Sequence, residues 1–387
     1  MRQQFVNAIF IRRDAKRAFF IDKRNMLVEN GTIVDFTSEI NRDAEIVDLK
    51  GAIVTPTFVN EHIHLGETFL RPLKEKMSLS DYLSYAEQRN MELGKRSQSV
   101  WEKSAEQTLI EGIQSGTTSI NTIRGNEIVG KFPIRAKIGY PIMRSEKLEK
   151  YYCEGMKGFD DFYHSCKING IEPGVFLHSF YSNDANTLEF VKEVLAKYDC
   201  FLAVHVAEDV ESERLVKEKW LGKNSMELLR DYDMLTPNTY LVHCGCVTTE
   251  ELRWVRENDC KVVLCPISSN TLMTNHADPN VLETLGIRWS IGSDGLATGE
   301  TANLIDQARY MKSEYPQLAY EKIFNVMTCD NGLLVGEDAS FIVFDNQKKY
   351  LERVDNIIRN IINKSFDVES VYICGSNCDG QYSFTKA

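Results

Sequence analysis

The stretch FVNEHIHLGETFLR, residues 58–71, decides the fold. It overlaps the end of an apolar, β-type run, AIVTPTFVN (52–60), and then presents His62 and His64 with one residue between them. Residues i and i+2 of an extended strand point to the same side. Two imidazoles at a strand end can therefore grip one metal ion. Alone, an HxH recurs by chance, and its histidines are then better read as solvated or core residues. What decides the matter is where the other histidines fall.

Working outward, further strand-like runs lie at 117–123, 136–143, 173–180, 200–207, 239–245, 261–268 and 287–294. Helix-like stretches lie at 79–115, 146–168, 183–198, 210–232, 248–258, 278–286 and 299–313, with a short one near 318–328. Eight strand–helix alternations predict an α/β fold, a (β/α)8 TIM barrel. Residues 1 to about 50 read instead as short strands between charged turns, with Asn30-Gly31 as a hairpin signal. The pattern returns to β after residue 330, in GEDASFIVFD (336–345) and VESVYICG (368–375), with a charged helix near 350–364 between them. A small β-rich domain built from both chain ends, 1–52 and 330–387, is expected, with the barrel, 53–329, inserted between them.

On this barrel His62 and His64 end strand one, and His178 ends strand four. His205 ends strand five, with Glu208 three residues later. His243 ends strand six, and Asp294 ends strand eight. Catalytic residues of this architecture come from the C-terminal ends of several strands. Five of the seven histidines fall at such ends, which is an odd coincidence for core or surface residues; His164 and His276 receive no role. Three imidazoles and one carboxylate (His62, His64, His205, Asp294) suit Zn²⁺, at about 2.0–2.2 Å per ligand with one position open for water. Fe²⁺ accepts the same ligand types. Such an ion lowers the pKa of its bound water to roughly 7. A second ion often needs a bridging carboxylate or modified lysine. Strand four, GVFLHS, carries no lysine, so one ion per chain is predicted.

The 387 residues and 43% hydrophobic content allow a barrel of ~250 residues plus an accessory domain. A net charge of −11 argues against nucleic-acid and anionic-membrane partners. No apolar run approaches ~18 residues, so no membrane span is expected. The N-terminus lacks a signal-peptide pattern. Ten scattered cysteines without a CxxC pair read as reduced, mostly buried thiols of a cytoplasmic protein.

With these residues placed, the chain resembles the amidohydrolase superfamily. It looks most like the branch holding chlorohydrolases and the deaminases of S-adenosylhomocysteine, methylthioadenosine, guanine and aminofutalosine. VDLKGAIVTPTFVNEHIHL resembles that family's entry into the barrel, and HVAED carries its HxxE. LVHCG, CPISSN and GSDG resemble later blocks, and GEDASFIVFD resembles the return to the β domain. The resemblance implies a small-molecule substrate and hydrolytic deamination of an amino-purine, an adenosine-like nucleoside. It implies that Glu208 relays a proton between the attacking water and a ring nitrogen. His243 would hydrogen-bond the attacking oxygen. Asp294, besides binding metal, would accept the water's proton and deliver it to the leaving ammonia. LRPLKEKMSLSDYL places Glu75 where the family's glutamate contacts ribose, although a surface glutamate reads equally well. HSFYS resembles HSPYS and puts His178 near the nucleoside; Arg144, ending strand three, would meet an anionic group or the ribose. Homo-oligomers are implied as well.

The chain departs from the family at Pro72, Thr57 and an additional serine in CPISSN, so Ser268 and Ser269 receive no role. A short interval between GSDG and GEDAS implies a truncated last helix. Three other readings stay open. One is deamination or dechlorination of another heterocycle, such as guanine, a pterin or a triazine. The others are hydrolysis of a cyclic amide and metal binding without catalysis.

Overall fold

In a computed structural model, described over residues 1–14, 16–73, 75–143, 155–329, 331–345 and 353–378, the β-branched runs form two sheets. One carries the strands Phe58–His64, Thr117–Ile123, Arg135–Ile142, Glu172–Leu177, Phe201–Val206, Thr239–His243 and Lys261–Leu264 in sequence order. The eighth strand comes in two pieces, Arg288–Ile291 and Asp294–Gly295. The first piece pairs in parallel with Lys261–Leu264, and the second pairs in parallel with Phe58–His64, Asp294 opposite Ile63. One interrupted strand thus bonds both ends of the sheet, and the sheet closes into a (β/α)8 barrel.

Closure demands close approach. At Gly292, between the two pieces, a Cβ would lie 2.5 Å from the carbonyl oxygen of His62 and 2.8 Å from its Cβ. Beside it Asn60 Nδ2 donates to Ser293 Oγ (2.8 Å) and Ser293 N donates to Asn60 Oδ1 (3.1 Å), all buried. Because backbone cannot give way as a side-chain tip can, Gly292→Ala is expected to destabilise the protein by at least about 1–3 kcal/mol. Urea unfolding measures this; an unchanged midpoint would contradict the described closure. Inside the barrel, Phe176, Phe201, Ala203, Tyr240, Val242, Val263 and Cys265 form one buried cluster. The buried cysteines 166, 200, 244, 260 and 265 are free thiols.

The second sheet joins both chain ends. Arg2–Arg13 pairs in parallel with Glu45–Pro56, which pairs antiparallel with Phe341–Phe344, Ile342 opposite Thr55. Asn30 (φ 51°) and Gly31 (φ 81°) form the tight turn between Asn25–Glu29 and Thr32–Thr37. Phe5, Phe10, Met26, Ile33 and Phe341 fill the core, with the Phe5 and Phe341 rings edge-to-face at 4.9 Å. The helix Val354–Ile362 buries Ile357, Ile358, Ile361 and Ile362 along one stripe.

The chain divides into a unit of Met1–Val59, Ile110–Ser119 and Asn303–Ala387 and a unit of Asn60–Leu109 and Ile120–Ala302. These bounds differ from the sequence-derived 52/53 and 329/330. The strand Glu45–Pro56 runs unbroken through residue 53. The helices Leu304–Glu314 and Tyr320–Thr328 group with the chain ends, where Lys364 donates to Asp306 (2.8 Å) and Tyr320 to Asn363 (3.4 Å). Two long predicted helices are each divided. Gly94 (φ 52°) separates Leu79–Leu93 from Ser97–Gln114. Leu221 and Gly222, both at positive φ, end one helix, and a capping box at Asn224 starts the next. No described helix is long and apolar enough to cross a membrane.

Candidate metal centre

Strand parity brings the first two ligands together. His62 and His64, two apart on the first strand, have ring centroids 4.9 Å apart. His205, ending the fifth strand, turns its Nε2 to within 3.1 Å of His62 Nε2. Asp294 Oδ1 lies 3.4 Å from His62 Nε2 and 3.6 Å from His64 Nε2. One ligand atom from each of these four residues falls within 4.8 Å of all the others. Donors each about 2.0–2.2 Å from one ion sit roughly 3–3.6 Å apart, which is close to the spacing of these pairs. His64 Nε2 is buried without a hydrogen-bond partner, a costly state for a ring nitrogen unless it binds something. The four residues thus fit a divalent cation.

Phe176, two residues before His178, stacks on His62 at 5.5 Å and meets His205 edge-on at 5.1 Å. This apolar floor keeps water from the ligands' inner side. His243 joins the cluster despite its parity. Val242 already belongs to the interior core, so strict alternation would turn His243 away. A left-handed φ of 72° at His243 breaks the alternation, and its ring lies 5.4 Å from that of His205. Its Nε2 is 3.7 Å from Glu208 Oε2 and 4.0 Å from Asp294 Oδ2.

Burial and charge set the proton inventory. Burial, reinforced by the negative charges of Asp294 and Asp209, pushes Glu208 up to about 8. Asp294 goes the other way: burial opposes its ionisation, but the hydrogen bond from His62 and the neighbouring imidazoles hold it well below the usual carboxylate range. Burial pulls His243 down to about 3 and His178 to about 4, and lowers His205 as well. Burial works against a proton on His64, but the hydrogen bond and charge of Glu67, together with the charges of Asp294 and Glu208, raise it to about 9. Below that pH a proton on metal-free His64 competes with a cation. Zinc uptake by the metal-free protein is therefore expected to release a proton, with affinity falling about tenfold per pH unit as pH drops from about 8 to about 6. Calorimetry in buffers of different ionisation enthalpy measures this. Affinity independent of pH would contradict it.

The cavity above the cluster has a volume of about 250 Å³ and is lined by Tyr82, Trp101, Arg124, His178, Tyr181 and Glu208, among others. His178 lines this cavity. Glu75 does not: it is exposed and outside the cavity's lining, because the chain turns to surface between Leu70 and the helix that begins at Leu79. Arg144 lies outside the described residues. Sequence reasoning also missed three groups. Ser268 Oγ donates to Asp294 Oδ2 at 2.6 Å. Glu67 Oε1 accepts from His64 Nδ1 at 3.0 Å, and Tyr82 donates to Glu67 Oε2 at 2.6 Å. A glutamate three residues after the second histidine was the available signal for the last two.

Residues 53–378 match the Amidohydrolase family, and the chain belongs to that family. It is a hydrolase acting on C–N bonds other than peptide bonds. A 5-methylthioadenosine/S-adenosylhomocysteine deaminase from Pyrococcus abyssi (strain GE5 / Orsay) is 23% identical over 394 residues, 93% of this chain and 90% of that protein. A 5'-deoxyadenosine deaminase from Methanosarcina mazei is 25% identical over 312 residues, 75% of this chain and 68% of that one. The fold is also that of a guanine deaminase from C. acetobutylicum crystallised with guanine (TM-score 0.83, 17% identity, 97% of this chain and 100% of that chain). An adenosine deaminase from Xanthomonas campestris with bound zinc is similar to the same degree (TM-score 0.84, 17% identity, 97% and 93% coverage).

Proposed function

We propose that this protein is a metal-dependent aminohydrolase that converts an amino-purine, an adenosine-like nucleoside, to its oxo product and ammonia. One observation carries the reading. Two buried carboxyl groups meet at His243 Nε2, Glu208 at 3.7 Å and Asp294, itself one of the four cluster ligands, at 4.0 Å, and their surroundings push them apart, burial raising Glu208 and the neighbouring imidazoles lowering Asp294. Such a split assigns acid and base roles. His62, His64, His205 and Asp294 would hold one Zn²⁺ or Fe²⁺. When bound, that ion supplies a water acidic enough to attack near neutral pH. It would also pull both carboxyls down, Asp294 as a ligand more than Glu208, which preserves their order.

Glu208, protonated, donates to the ring nitrogen beside the carbon under attack. This draws electrons from that carbon. Asp294, ionised, takes the proton that the nucleophile must lose. His243, neutral and 3.7 Å from Glu208 Oε2, donates a hydrogen bond to the oxygen that develops charge. The proton on Asp294 then passes to the leaving amine; the C–N bond breaks to release ammonia as the oxygen forms its double bond to carbon and gives its remaining proton to the ionised Glu208, which restores both carboxyls. His178, on the cavity wall, contacts the nucleoside, and Arg144 meets its ribose or an anionic substituent.

The relatives named above deaminate methylthioadenosine, S-adenosylhomocysteine and 5'-deoxyadenosine by name, and this supports the nucleoside class. The exposure of Glu75 favours a second reading, a free base or another heterocycle. An assay of ammonia release, with chloride release measured for the triazine, separates the two. Zinc-loaded protein is offered adenosine, methylthioadenosine, S-adenosylhomocysteine, 5'-deoxyadenosine, adenine, guanine and a chlorotriazine. Turnover of the nucleosides with kcat/KM at least tenfold above the free bases supports the proposal. Turnover of free bases or triazine alone supports the second reading.

A further inference from the structure

We infer that Glu67, held by Tyr82, positions His64 and sets how tightly the four-ligand cluster binds its ion. The inference rests on the metal-centre reading above.

His64 Nδ1 lies 3.0 Å from Glu67 Oε1. A carboxylate only accepts, so Nδ1 keeps its proton and Nε2 is the nitrogen that gives up its proton to a cation. That Nε2 is the buried nitrogen without a partner, 3.6 Å from Asp294 Oδ1. Glu67 therefore fixes both the tautomer and the direction of the lone pair offered to a cation. The glutamate is itself built in. The hydroxyl of Tyr82, a buried residue on the helix Leu79–Leu93, donates to Glu67 Oε2 at 2.6 Å. Gly295 stands opposite His64 in the barrel-closing register, and a Cβ there would lie 1.8 Å from Glu67 Oε2. Strand end, helix and closing strand thus leave one cradle, and a carboxylate fills it.

The charge balance explains its use. Three neutral imidazoles and Asp294 leave a divalent ion with a net charge of +1 in a buried centre. An uncompensated charge is costly there. Glu67, one ring away, brings the total to zero and makes His64 a stronger donor.

The test is zinc affinity of the metal-free full chain, read by competition with a fluorescent chelator. Glu67→Gln keeps the shape and removes the charge. It is expected to weaken zinc binding 10–100-fold. Tyr82→Phe, which frees the carboxylate to swing, is expected to cost about 2–10-fold on the same scale. In a His64→Ala background, measured with a weaker chelator, both losses should shrink below about threefold, because a group acting through His64 has nothing left to act on. Affinity of Glu67→Gln within threefold of wild type overturns the inference, and so does a loss that persists in full without His64. If Glu67→Gln does not fold, Tyr82→Phe decides: unchanged affinity overturns the inference, and the stated loss supports it. A wild-type chain that binds no divalent ion defeats the metal-centre reading itself, which is a distinguishable result.

Discussion

Glu208→Gln is expected to lower kcat by about 10²–10⁴-fold on whichever substrate the wild-type chain turns over, while leaving the bound metal in place. The side chain is buried and 3.7 Å from His243 Nε2, and glutamine keeps its size. What it removes is an ionisable proton in a site where burial makes that proton available close to neutral pH. The measurement is steady-state ammonia release beside metal content on the same preparation. Retained metal with lost turnover assigns Glu208 to chemistry. Turnover within threefold of wild type would mean that the carboxyl only fills space, and the acid–base assignment would fail.

His205→Ala is expected to abolish both. His205 offers the nitrogen that faces His62 Nε2 at 3.1 Å, and alanine leaves only two imidazoles and Asp294 for the ion. Loss of a neighbour that merely supports a ligand costs about 10–100-fold in affinity, so loss of the ligand itself should exceed about 100-fold. Turnover should fall to background under conditions where the wild type is saturated with zinc. The contrast with Glu208→Gln is the informative part. One variant keeps metal and loses chemistry, and the other loses chemistry because it loses metal. Full metal content in His205→Ala would place the ion elsewhere.

The cluster was legible in the sequence because barrel strands obey a simple rule. Side chains two apart share a face, and strand ends converge, so His62, His64, His205 and Asp294 could be gathered from spacing and order alone. His243 was legible by position but not by geometry, since its inward turn depends on a left-handed backbone that no pattern announces. Ser268 was set aside because of the additional serine in CPISSN. The predicted strand 261–268 ends at Leu264, and Pro266 opens a helix whose first turn brings Ser268 to Asp294. Glu67 was hidden by context, because a glutamate just past a strand ordinarily faces water, and only the turn toward Tyr82 buries its role. Glu75 was placed by resemblance, and the local chain turns it outward. Domain limits were hard for a related reason. A long strand pairs across the point where composition changes, and pairing partners are not written in the local pattern.

The most direct measurement is X-ray diffraction from crystals of the zinc-loaded chain, with data collected on both sides of the zinc absorption edge. One anomalous peak per chain, within about 2.0–2.2 Å of nitrogens of His62, His64 and His205 and an oxygen of Asp294, is the predicted result. A map with no peak among these four side chains at saturating zinc, or with the ion held by other residues, would contradict it.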